Sequence, residues 1–337
     1  MAIVFQEHRG EKYPFSIRLC SRVRTLARDR DLQRPADSGI KSSAERLASF
    51  ELNTRTEQMT VTAQDAPCGA VIRGVDLTRP LTLQQVVAIR HAWLRHQVLA
   101  FPDQQMELED LEHFASTIGP FGTDPYFGAV PGHPHVAQVR RDADEKSSLF
   151  AESWHSDWSF LDPPPQATVL FGNVIPPVGG DTLFANQYLA WDALPDSLKA
   201  RVENRMGVHS ARRGYSRQGA YGERDRGRSM AIKFSDSALA TQLHPIARVH
   251  PETGRTALFV SPGYTIGIDG MGDDEAQELL AALFAHQAKP EFVYRHRWSP
   301  NMLLMWDNRC VIHAATGGYE GHARLLHRIT VAQSATV

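Results

Sequence analysis

Between residues 81 and 96 the apolar positions Leu83, Val86, Val87, Ile89, Ala92, Trp93 and Leu94 recur at helical spacing, and Thr82 ahead of them is a suitable cap. Residues 98–101 are continuously apolar, which predicts a short buried strand, and 108–118 return to a helical pattern. After Pro134 the pattern changes to short β-rich runs separated by Gly and Pro turns. They fall at 136–139, 168–174, 182–185, 246–249, 257–260, 292–298, 302–306 and 326–331, with a first strand expected at 60–62. Helical stretches near 187–204 and 273–286 interrupt them. There is no internal repeat. Many short strands with a few helices at the flanks predict a mainly β fold, a sandwich or jelly roll, in preference to a doubly wound parallel sheet.

Two stretches stand outside this pattern. Residues 1–58 are rich in arginine and carry no sustained apolar period, so a weakly ordered N-terminal extension is expected, ahead of a domain spanning 59–337. Its acids Glu7, Glu11, Asp29, Asp31 and Asp37 are unlike a transit peptide. Residues 212–241 hold four glycines and six arginines with little periodicity, and read as either a functional lid or a disordered loop. As a lid, their charge would attract an anionic substrate.

Composition narrows the partners. With 42% hydrophobic residues the 337-residue chain can build a substantial core, which excludes a disordered protein. Lys plus Arg at 36 against Asp plus Glu at 38 gives a net charge of −2, so neither nucleic acid nor an anionic membrane is expected as a partner. Three cysteines, Cys20, Cys68 and Cys310, are too few for a disulfide framework or a cysteine zinc site, and no apolar run approaches the ~18 residues of a membrane span. A cytoplasmic protein acting on small molecules is expected, with a homo-oligomer as its assembly.

Candidate chemistry starts at Trp154-His155-Ser156-Asp157-Trp158. On an extended backbone His155 and Asp157 would share a face and could bind one metal ion together. A similar pair, His250-Pro251-Glu252, sits in a Pro/Gly turn and reads as a solvated corner. Near the far end His313 follows a buried strand, and Arg324 and Arg328 come 11 and 15 residues later, on one face of a predicted strand. Two histidines and a carboxylate can occupy one face of an octahedral ion and leave positions open, as in non-haem Fe(II) sites. Two inward guanidinium groups call for anions to meet them. Trp158, Phe160 and Tyr264 are aromatic candidates for a substrate wall, although such residues are more often core. His209, His244, His296 and His327 read as hydrogen-bonded structural residues, Asp307-Asn308 as a turn, and Cys310 as a small hydrophobe.

Taken in order, His155-Ser156-Asp157, Gly179-Gly180-Asp181-Thr182, Trp306-Asp307-Asn308-Arg309, His313, Arg324 and Arg328 resemble the taurine and 2,4-dichlorophenoxyacetate dioxygenase family of Fe(II)/2-oxoglutarate oxygenases, over residues 59–332. The resemblance implies a double-stranded β-helix with Fe(II) on His155, Asp157 and His313, and with 2-oxoglutarate and O2 as cosubstrates. It further implies that Arg324 and Thr182 meet the distal carboxylate of 2-oxoglutarate and that Arg328 meets a small anionic organic substrate. Asp124 and Ala151 stand where the taurine branch has a histidine and an asparagine, and residues 136–165 look more like the aryloxyalkanoate-cleaving members. The expected reaction is hydroxylation of an aryloxyalkanoate, alkyl sulfonate or sulfate ester, releasing succinate and CO2. A zinc hydrolase on the same ligands and a non-catalytic jelly-roll binding protein are the alternatives.

Overall fold

In the computed structural model, which describes residues 58–333, the strands sort by the face on which each side chain is buried. An eight-stranded sheet runs in the order Thr60–Ala63, Ala70–Arg73, Val98–Phe101, Met302–Asp307, Ala167–Val174, Arg324–Val331, His133–Arg141, Ala129–Val130. Only the pairing of Ala70–Arg73 with Val98–Phe101 is parallel. On its outer face Leu99, Phe101, Val169, Phe171, Leu303, Met305, Ile329 and Val331 pack against Ile89 and Trp93 of the helix Leu83–His96 and Leu111 and Phe114 of the helix Leu108–Ile118. On its inner face Val98, Ala100, Leu170, Leu304, Trp306 and Leu326 meet Phe184 and Val311. These last two belong to a three-stranded sheet ordered Val293–His296, Thr182–Asn186, Val311–Ala315. Burying a side chain such as Phe171 or Phe184 stabilises the fold by about 1.5–3 kcal/mol. The period of two decides the rest: Arg324, Leu326 and Arg328 are forced to the inner face because Ile329 and Val331 take the outer one. The result is the expected jelly roll.

The first helix begins as its pattern predicts. Thr82 accepts the Gln85 amide at 3.2 Å while the Gln85 side chain accepts the Thr82 amide at 2.9 Å, a reciprocal cap. It ends at Gln97, whose φ of 61° turns the chain directly into the next strand. The single helix expected at 187–204 is two, Gln187–Asp192 and Asp196–Val202, because Pro195 cannot continue the first and stands as N-cap of the second. A further sheet of Thr265–Ile268, Met206–Ser210 and Thr241–Pro245 falls wholly outside the predicted strand runs, its strands being short and mixed in polarity. Residues 212–241 form neither a loose loop nor a regular element. They carry the short helix Arg212–Tyr215 and the turn Asp236–Leu239, and bury Tyr215, Met230 and Ala238 in an aromatic cluster with Tyr126, Phe127, Trp158 and Tyr264. The extension expected at 1–58 lies, apart from its last residue, outside the described residues. Among the described residues no helix is long and apolar enough to cross a membrane.

Candidate active site

His155 and His313 are brought together by their own backbones. Each donates its amide to the other's carbonyl, at 3.0 and 2.8 Å, an isolated antiparallel bridge that sets their rings 4.2 Å apart. His313 lies in Val311–Ala315, but His155 does not lie in a strand. Asp157 reaches the same place through a turn, so the shared face expected from strand alternation arises instead from a bridge followed by a turn. Asp157 Oδ1 stands 3.6 Å from His155 Nε2 and 3.9 Å from His313 Nε2. All three ligand atoms fall within 4.8 Å of one another.

The surrounding hydrogen bonds leave both Nε2 atoms free, and Asp157 Oδ1 has only the Arg328 guanidinium beside it, with Nη2 at 3.1 Å. His155 Nδ1 donates to the Ser153 carbonyl at 2.8 Å, which fixes the tautomer and turns the Nε2 lone pair inward. Asp157 Oδ2 accepts Thr168 Oγ1 at 2.6 Å, and Thr168 Oγ1 accepts Asn308 Nδ2 at 2.9 Å; Asn308 Oδ1 in turn accepts Trp306 Nε1 at 2.9 Å. Oδ1 is therefore the oxygen presented to the cleft. Burial opposes charge on Asp157, yet the Arg328 guanidinium and both imidazoles outweigh it and hold the carboxyl well below its usual range. Burial pushes His313 down to about 3, so its imidazole is neutral at physiological pH. Two imidazole Nε2 atoms and one carboxylate oxygen on one side of a cleft fit a divalent non-haem iron, with coordination positions left toward the cleft.

Behind this triad lies Arg324. It is wholly buried, its Nη2 donates to the Gly180 carbonyl at 3.2 Å, and its Nε has no partner. Burial pushes it down to about 10, so it remains a cation, and an unpaired buried cation calls for an anion. Gly180, at φ 69°, allows this approach, since a Cβ there would lie 3.3 Å from Arg324 Nε. At the neighbouring Gly179, φ 66°, a Cβ would collide with the Gly318 backbone. Thr182 follows in the same stretch, buried, its hydroxyl accepting Trp298 Nε1 at 3.0 Å and lining the cleft.

The cleft is walled by Trp158 and Tyr264 together with Phe127, Phe150 and Tyr215. Phe160 is not part of this wall. It packs one layer behind, against Tyr126, Trp158 and Tyr264. The arginines of 212–241 behave differently from their reading as anion attractors: Arg213 donates to the Pro262 carbonyl at 2.6 Å, Arg217 pairs with Glu223 at the surface, and of the six only Arg228 lines this cleft, held by Asp225. Glu145 stands between Arg141 and Arg228, at 3.3 and 3.8 Å. Glu145 carried no signal of its own in the sequence, whereas Arg141 lies two residues beyond the strand predicted at 136–139 and inside the stretch 136–165 that resembles the aryloxyalkanoate-cleaving members.

The pair read as a solvated corner is solvated at Pro251 and Glu252 but not at its histidine. His250 is completely buried and donates Nε2–H to Asp307 at 3.0 Å, while Glu252 takes Arg309 and Arg90, each at 2.7 Å. Asp307, expected as a turn residue, is a buried carboxylate chelated by Arg309 at 2.8 Å. It also lies near Cys310, but with Arg309 already neutralising it this second cluster has no unmet charge for a cation. His209, His244, His296 and His327 bond Ser159, the Leu161 carbonyl, Tyr294 and Asn173, respectively, and none lines the cleft.

Residues 57–330 match the family described as taurine catabolism dioxygenase TauD, TfdA family. The chain is 32% identical over 254 residues to the (S)-phenoxypropionate/alpha-ketoglutarate-dioxygenase of Sphingobium herbicidovorans, covering 75% of this chain and 87% of that protein. It is 33% identical over 270 residues to the alpha-ketoglutarate-dependent sulfate ester dioxygenase of Pseudomonas putida, covering 78% and 86%. Among solved structures, a taurine dioxygenase from Burkholderia xenovorans superposes with a TM-score of 0.68 at 33% identity, covering 83% of this chain and 92% of that one.

Proposed function

The chain belongs to the TauD, TfdA family and is a 2-oxoglutarate-dependent dioxygenase, and from that premise we propose that His155, Asp157 and His313 hold Fe(II), that Arg324 and Thr182 hold the distal carboxylate of 2-oxoglutarate, and that the enzyme hydroxylates a small anionic organic molecule of the aryloxyalkanoate, alkyl sulfonate or sulfate ester type. The observation that carries this reading is the convergence of Asp157 Oδ1 with two imidazole Nε2 atoms in front of a buried arginine whose Nε is unpaired. A dicarboxylate explains that arginine, because a planar fork meets a carboxylate bidentately. A zinc hydrolase gives it nothing to do.

Iron bound at the triad would activate O2 and take the 2-oxo acid end of the cosubstrate. The protein's own part is positional. Thr168 and Asn308 hold one oxygen of Asp157 so that the other faces the cleft, Ser153 fixes the His155 tautomer, and the aromatic wall excludes water from the reacting carbon. The balance is substrate, O2 and 2-oxoglutarate to hydroxylated substrate, succinate and CO2. Where the new hydroxyl shares a carbon with an ether or ester oxygen, that C–O bond breaks and the carbon leaves as a carbonyl.

The same proposal places the enzyme domain at 59–337 in the cytoplasm, supported by Cys68 and Cys310 standing free and buried. Leu83 and Val87, exposed one helical turn apart, offer a contact for a homo-oligomer, which light scattering tests. Succinate release from 2-oxoglutarate, measured across aryloxyalkanoates, alkyl sulfonates and alkyl sulfates, tests the activity. Stimulation by at least one class is expected, and none by any class would remove the substrate assignment.

A further inference from the structure

Arg324 and Arg328 share one face of one strand, four residues apart, yet their surroundings differ. Arg324 has no acid beside it. Arg328 Nη1 donates to Asp124 Oδ1 at 2.5 Å, and that same oxygen accepts Trp158 Nε1 at 2.6 Å. Arg328 Nη2 lies 3.1 Å from Asp157 Oδ1 without a hydrogen-bonding angle. The rings of Trp158 and Phe127 flank the guanidinium at 4.8 and 5.0 Å. Arg328 lines the cleft and Asp124 does not, so the acid, with only 13% of its side chain exposed, holds the arginine from the far side. Trp158 reaches Asp124 from a left-handed backbone, φ 46°, which a bulky side chain rarely adopts and which persists only where its surroundings enforce it.

This acid changes the electrostatics of the substrate position. Burial raises the Asp124 carboxyl while Arg328 and Trp158 pull it back, and beside a guanidinium that stays charged it is the anion of the pair. Once a divalent ion and doubly charged 2-oxoglutarate are counted, Asp124, Asp157, Arg324 and Arg328 sum to zero, and the other cations lining the cleft already have acids beside them, Arg140 with Asp142, Arg141 with Glu145 and Arg228 with Asp225, so the interior is neutral before any primary substrate enters. A free acid would then add an uncompensated charge against aromatic walls. An uncharged carbonyl would still find an arginine N–H, at a smaller desolvation cost.

We propose that Asp124 is a specificity-determining residue: by neutralising Arg328 from behind, it weakens the cleft's hold on a free acid and lets an uncharged ester, amide or lactone carbonyl compete for the same position. Asp124 acts through Arg328 and touches no substrate itself. The inference rests on the dioxygenase reading above. Asp124→Asn isolates the charge, because its amide oxygen can accept from both Arg328 and Trp158.

Calorimetric titration of the Fe(II)-loaded enzyme, first with 2-oxoglutarate and then, without oxygen, with 2-phenoxypropionate or its primary amide, tests it at a pH well above the carboxylate range. Asp124→Asn, and Asp124→Ser as a shorter uncharged variant, should bind the acid at least about tenfold more tightly than wild type while leaving the amide nearly unchanged. Adding Arg328→Gln to either should abolish the gain. Unchanged acid affinity in both variants, or acid and amide shifting together as a structural loosening would shift them, overturns the inference. Failure of the wild type to bind 2-oxoglutarate in the first titration would instead remove the proposed function beneath it.

Discussion

Two His-x-acid pairs, His155-Ser156-Asp157 and His250-Pro251-Glu252, each bury the histidine, although Glu252 stays exposed where Asp157 is buried, so burial of the histidine alone does not tell them apart. What separates them is how their hydrogen-bonding capacity is used. Around His250 everything is spent: Nδ1 accepts the amides of Glu252 and Thr253, Nε2–H goes to Asp307, Asp307 is held by Arg309, and Glu252 takes Arg309 and Arg90. Around His155 the bonds stop one atom short. Both imidazole Nε2 atoms and Asp157 Oδ1 converge with no hydrogen bond among them, and Arg324 Nε lies unpaired behind. A satisfied network stabilises a fold, whereas an incomplete one facing a cleft is a binding site.

The contrast breaks most sharply under paired substitutions. Asp157→Ala should abolish succinate formation and tight metal binding while shifting stability by no more than about 1 kcal/mol, since Arg328 keeps Asp124 as its partner. Asp307→Ala should do the opposite, costing about 3–5 kcal/mol in denaturant melts because Arg309 and His250 lose their buried partner. Equal loss of stability in both would erase the distinction.

Smaller changes sharpen it. Arg324→Gln should raise the KM for 2-oxoglutarate roughly 10- to 100-fold, the value of a charge-assisted bidentate contact, without altering metal affinity measured by equilibrium dialysis. Thr168→Val, which keeps shape but frees Asp157 Oδ2, should weaken metal binding by about tenfold or more, with little effect on melting. Glu252→Ala removes ion pairs to Arg309 and the more exposed Arg90, and should cost roughly 1–2 kcal/mol of stability with kcat unchanged. A pH series adds the histidines outside the triad. Burial pushes His209 to about 3 and His296 to about 4, below their value in the unfolded chain, so the unfolded state takes up protons first. Their contribution should be whole above about pH 6.5 and be lost as pH falls toward those values, at about 1.4 kcal/mol per pH unit for each.

The strand Arg324–Val331 shows how much of this was legible beforehand. Its alternation places Arg324, Leu326 and Arg328 together on one face, and neither arginine can be tolerated inward without a charged partner, so the need for anions there could be read from spacing, while the part given to each arginine came from the family resemblance. The metal triad was legible for a partly different reason than its geometry, since His155 and Asp157 are joined by a bridge and a turn. The aromatic wall was not legible. Phe127 and Phe150 come from irregular segments and Tyr215 from a one-turn helix, none with a readable period, and only chain folding brings Phe127 and Tyr215 to Trp158 and Phe150 to Phe127. Asp124 was visible as a departure from the taurine branch, but its pairing with Arg328 across 204 residues had no local signal.

Anaerobic addition of Fe(II) and 2-oxoglutarate to the purified protein, read as visible absorption of the 2-oxo acid chelated to iron, bears most directly on the triad and the arginine behind it. The expected result is a broad band that saturates at one iron per chain, fails to form in Asp157→Ala, needs far more 2-oxoglutarate in Arg324→Gln, and is unaltered in Glu252→Ala. A band that persists at full strength in Asp157→Ala, or no band in folded wild-type protein, would contradict the assignment of this site.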